Sequence, residues 1–158
     1  MSNGFPNSLP ENAVQGLREF QTAVMNFLTE QHQAVTDATQ SYLNGLNSGE
    51  NRQQLKSSLG QSLDSIYAKA DAESKAMTEA FFKKMEDLGR NDTQVEQMSI
   101  VGTVQNARQF FSGEIVKGIS TIINGLKSDL ESDKISGYVE AGFKQLSNGA
   151  ASFFNSIL

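Results

Sequence analysis

A chain of 158 residues is long enough to bury one substantial core. Its formal net charge is -5, from 13 Lys and Arg against 18 Asp and Glu, with no basic cluster beyond Lys83-Lys84, so no nucleic acid is expected as a partner. The absence of cysteine excludes disulfides, thiolate metal sites and cysteine nucleophiles. Charged residues are only 20% of the chain, and Ser, Asn, Gln and Thr take the place of the rest.

Residues 1–8 read as a flexible tail. Both prolines, Pro6 and Pro10, precede residue 11, which leaves the remainder free to form long helices. Ser8-Leu9-Pro10-Glu11 has the form of a capping box with proline in the first turn, a helix-start signature. Apolar residues then recur at helical spacing: Val14, Leu17, Phe20, Val24, Phe27, Leu28, Val35, Ala38, Tyr42 and Leu46. Asn44-Gly45 and the following NSGEN stop this first helix, predicted over 9–46.

A second helix is predicted from Ser48 or Gly49 on the stripe Leu55, Leu59, Leu63, Ile66, Ala70, Met77, Phe81, Met85 and Leu88, ending at Gly89-Arg90-Asn91. Its far half carries opposite charges four apart, Asp71/Lys75, Glu79/Lys83 and Glu86/Arg90, the pattern of a solvated outer face. Thr93-Gln94-Val95-Glu96 is a second capping box. The stripe it opens runs Val95, Met98, Val101, Val104, Ala107, Phe111, Ile115, Ile119, Ile122, Leu126 and Leu130. Within it, 110–126 (FFSGEIVKGISTIINGL) is the most apolar stretch of the chain and must be covered on several sides. Ser112-Gly113 is expected to kink or break the helix. Ser132-Asp133-Lys134 is the predicted last turn, and Ile135, Val139, Phe143, Leu146, Ala150, Phe153 and Ile157 carry the final helix.

No segment alternates with period two, so no sheet is expected. The fold class is all-α: an elongated antiparallel bundle of four long amphipathic helices, five if the third breaks at Ser112-Gly113, in one domain spanning 9–158. Asn-Gly-Leu occurs at both 44–46 and 124–126, which allows a reading as two copies of one hairpin, 9–90 and 91–158.

Chemistry is sparse. His32, the single histidine, sits among Glu30, Gln31 and Gln33 and reads as a solvated surface residue. Glu79, Glu86, Asp71 and Asp87 could be imagined as metal ligands, but no Glu-x-x-His pair accompanies them, and no phosphate-binding glycine loop or nucleophile motif occurs. No enzyme activity, metal or cofactor is therefore expected. Asn91-Asp92-Thr93 is a glycosylation acceptor pattern.

More informative are the pairs Phe81-Phe82, Phe110-Phe111 and Phe153-Phe154. Neighbouring helical residues point about 100° apart. When one ring faces the core, the other must lie at the edge of the face. The final helix is unusual too: between 135 and 158 only Glu140 and Lys144 are charged, and small residues crowd it. Phe82, Phe110, Val116, Ile123, Phe153, Phe154 and Leu158 are the expected contacts for an apolar surface or partner.

The function expected from these faces is non-enzymatic binding of lipid or another apolar surface. In style the architecture resembles the exchangeable apolipoproteins and the polyester-granule phasins, although the chain is poorer in Lys and Glu than those apolipoproteins. Self-assembly through the uncharged C-terminal helix is one alternative, and carriage of a small apolar ligand in the bundle core is another. No apolar run approaches the ~18 residues that span a bilayer. The first ten residues lack the basic start and apolar run of a signal peptide, which fits a cytoplasmic protein or a secreted one already processed.

Overall fold

The computed structural model describes residues 9–89 and 94–158, with Gly89 and 94–99 described by backbone alone. Its elements are α1 (Glu11–Asn47), α2 (Arg52–Gly89), α3 (Gln94–Phe110), a π-helical segment (Phe111–Val116), α4 (Lys117–Lys127) and α5 (Ser132–Ile157). No strand occurs among the described residues. The backbone stays right-handed helical on both sides of the π segment, at Phe110 (φ -61, ψ -48) and Lys117 (φ -63, ψ -36). α3, the π segment and α4 are thus one continuous third rod, and the molecule is a four-rod antiparallel bundle.

Cyclic neighbours pack: α1 against α2 and α5, α2 against the third rod, and the third rod against α5. Cross-rod ion pairs mark the register, with Lys84 on Glu19, Lys127 on Asp64 at 2.6 Å, and Lys56 on Asp129. The Lys56 ammonium holds the Asp129 carboxyl below the usual carboxylate range, chiefly through its hydrogen bond. Such exposed pairs add little stability. Burial does most of the work, and at one level all four rods contribute a phenylalanine. Phe20 stacks on Phe81 (4.1 Å between centroids, 9° between planes) and meets Phe111 and Phe154 edge-on at 5.6 and 6.0 Å.

The boundaries show what local chemistry decides. Pro10 occupies the N-cap of α1, one position before the first turn expected for it, and its carbonyl accepts from the Ala13 and Val14 N–H groups at 3.0 and 3.1 Å. Ser8 and Thr93, the proposed capping residues, lie outside the described residues, as does the triplet Asn91-Asp92-Thr93. α2 begins at Arg52 rather than at Ser48 or Gly49. The reason is that Ser48 and Gly49 are spent closing α1. The Gly49 N–H reaches the Leu46 carbonyl (3.1 Å) and the Glu50 N–H reaches the Gly45 carbonyl (3.0 Å), a Schellman arrangement with Gly49 at φ 78. Asn51 then caps α2, its Oδ1 accepting from the Gln54 N–H at 3.0 Å. The last turn falls at 128–131, not at Ser132-Asp133-Lys134, which form the first turn of α5.

Ser112-Gly113 neither breaks the third rod nor leaves it regular. Ala107, Phe111, Ile115 and Ile119, all at most 1% exposed, follow one another in three successive steps of four. In a regular α-helix that run would swing about 120° around the axis. Underwinding through Phe111–Val116 cancels the drift and keeps all four in the core. The repeated Asn-Gly-Leu also has a local reason in each half. A Cβ at Gly45 would strike the side chain of Leu55, and one at Gly125 would strike Tyr138, where the next helix folds back.

Candidate functional site

Between α2 and the third rod lies a groove of about 800 Å³. This is within the ~300–1,000 Å³ range of small-molecule sites. Its floor is apolar: Phe111 and Val116 are buried, and Tyr67 and Phe82 are half-buried. The third-rod wall is Arg108, Ser112, Val116 and Ser120, again four apart, with Lys117 beside them. The π segment that aligns the core stripe therefore also aligns this wall, since a regular helix would turn Ser120 about 120° away from Arg108.

The α2 wall places Asp71, Lys75, Glu79, Lys83 and Glu86 around Ser74 and Thr78. The charge series is solvated as its spacing implies, with Lys75, Glu79, Lys83 and Glu86 exposed, and it also forms one bank of the groove. Asp71 and Lys75 pair at 3.0 Å as the four-residue spacing implies, whereas Glu79 and Lys83 form no ion pair. Arg90, proposed as the partner of Glu86, lies outside the described residues.

Three of the wall hydroxyls are turned back onto their own helices. Ser74 Oγ donates to the Asp71 carbonyl (2.7 Å), Thr78 Oγ1 to the Ser74 carbonyl (2.8 Å) and Ser112 Oγ to the Arg108 carbonyl (3.1 Å). Their donors are satisfied, so the groove is less polar than its composition reads. No group of three or more His, Asp or Glu fit to hold a metal occurs among the described residues. What the arrangement offers is an apolar trough with charged banks, suited to hold a molecule that is itself apolar along its length and polar at one end.

The seven residues expected to contact an apolar surface do not converge. Phe82 and Val116 line the groove. Phe110 and Phe153 stack on each other in the seam between the third rod and α5, at 4.2 Å and 3°. Ile123 and Phe154 belong to the core, at 3% and 0% exposure, and Leu158 is half-buried at the end of α5. In each Phe-Phe pair one ring is buried and the other half-buried, as the 100° offset requires. Among the described residues Val101 is the one large apolar side chain left exposed. In the groove, the half-buried Tyr67 and Phe82 bring apolar surface to solvent.

Tyr67, Arg108, Lys117 and Ser120 went unmarked in the sequence. The signal that points to Arg108 and Ser120 is the run of four-residue steps between them, which mirrors the core run beside it. His32 also departs from expectation. Its ring stacks on Phe143 of α5 (4.9 Å, 11°), and its Nε2–H donates to Glu140 Oε1 at 2.9 Å, leaving the side chain 32% exposed. It is a half-buried clasp between α1 and α5, because the polar side of α1 at this level is covered by α5.

No family model, curated protein or solved structure matches the chain. Among the described residues no helix is long and apolar enough to cross a membrane.

Proposed function

We propose that this protein is a non-catalytic lipid-binding bundle that takes the apolar chain of an amphiphile into the groove between α2 and the third rod. The observation that carries this reading is the groove itself: about 800 Å³ floored by Phe82, Phe111 and Val116 and banked by charge. A closed bundle with such a trough favours capture of single molecules over spreading on a surface. Ile123 and Phe154 would reach a lipid layer only after the rods had separated.

The chain contains no tryptophan, so one introduced indole reports without background. Ser112→Trp places it on the groove wall, and Ser136→Trp on the exposed side of α5 serves as the reference. Titration with a medium-chain amphiphile below its micelle concentration should shift the emission of the groove indole to the blue and leave the reference unchanged. Equal shifts at both positions, or none at either, would overturn the assignment.

A further inference from the structure

We propose that the groove selects an anionic amphiphile, a single-chain carboxylate whose head lies against the cationic wall of the third rod. The inference rests on the lipid-binding reading above and adds the polarity of the head group. The third rod gives the groove two cations, Arg108 and Lys117, and no carboxylate. On the opposite bank Asp71 is already neutralised by Lys75 at 3.0 Å. Lys83 stands four residues from Glu79 and three from Glu86, on the same side of α2, and balances one of these two carboxylates.

In sum, four basic and three acidic side chains line the groove, a surplus of one positive charge in a chain of net -5. Four of the 13 basic residues gather here against three of the 18 acidic ones, so the enrichment is in cations. An apolar floor concentrates the field of such charges, and a guanidinium fork matches a carboxylate in shape. A carboxylate head would place its oxygens where Arg108 and Lys117 have no ion-pair partner among the described residues. A quaternary ammonium head would meet repulsion on the same wall.

The test compares three probes with the same tail, decanoate, decanol and decyltrimethylammonium, by calorimetry at low salt. Decanoate should bind about tenfold more tightly than decanol, and the cation more weakly than either. Arg108→Gln with Lys117→Gln should abolish the advantage of decanoate over decanol. Both side chains are exposed, so the fold is not at stake. Lys56→Gln, which removes a charge paired with Asp129 away from the groove, should change neither affinity. Raising the salt concentration on the unaltered protein should narrow the gap between decanoate and decanol. Equal affinity for decanoate and decanol, tighter binding of the cation, or an equal effect of Lys56→Gln would overturn the inference and leave the lipid-binding reading standing. Failure of all three probes to bind would overturn both.

Discussion

At Gly49 the chain must reverse between α1 and α2, and its φ of 78 lies in the left-handed region that a Cβ disfavours. Nothing stands within 4 Å of a Cβ placed there, so Gly49→Ala isolates the backbone cost. It should lower stability by about 1–2 kcal/mol, read from the midpoint of urea unfolding. Glu73 gives a second single-residue expectation. Burial, and then the Glu30 carboxylate with its hydrogen bond, push the Glu73 carboxyl above its ordinary range. A carboxyl raised in the folded state favours folding while protonated, and that contribution is lost as pH rises through its folded value. Glu73→Gln should therefore stabilise the bundle at neutral pH, within the ~0.5 kcal/mol scale of surface changes. The advantage should vanish in acid, where Glu73 is protonated whether folded or unfolded. Melting curves of both proteins across that range check it, and a constant difference at every pH would contradict the assignment.

Among the elements, α5 is held by its inner face and loosened by its outer one. Gly137 and Gly149 are interior to the helix, yet a Cβ at either meets nothing within 4 Å. Each costs up to about 1 kcal/mol against alanine without a packing return. Gly137→Ala with Gly149→Ala should raise unfolding free energy by about 1–2 kcal/mol, whereas Gly118→Ala should lower it, because Leu146 already occupies the space. Helix existence was readable from the recurrence of apolar residues, since burying one face per rod dictates that period. Turn positions were less so: Ser132-Asp133-Lys134 suits the first turn of a helix as well as it suits a loop, and only the closure of α4 at Lys127 decides between them. The π segment was half-readable. Ser112-Gly113 marks the place, but the cause lies in the spacing from Ala107 to Ile119, not in the glycine, which faces open space. The groove was not readable from the charge series on α2, because identical i,i+4 patterns arise on solvent faces and on groove banks. Which it is depends on the rod across from it.

Across the whole molecule, the phenylalanine layer makes the four rods one cooperative unit. Phe154 is fully buried and reaches Phe20, which in turn touches Phe81 and Phe111, so α5 is joined through two rings to every other rod. Ala150 and Ile157 are buried on either side of it, which counters the fraying normal at a chain end. Phe154→Ala should therefore cost the full penalty of a large core truncation, about 3–5 kcal/mol. That is a major fraction of the ~5–15 kcal/mol by which domains are stable. Phe153→Ala should cost about half as much, because its half-buried ring loses the stack on Phe110 but opens no core cavity. Chemical unfolding followed by circular dichroism gives both values. Native-state hydrogen exchange separates cooperative loss from local release: amides of α5 near Phe154 should exchange with the same free energy as the buried amides of α1. Exchange of α5 far below that value in the unaltered protein, or an unchanged unfolding midpoint in Phe154→Ala, would mean that the last helix docks as a detachable strap and that the layer does not bind the four rods together.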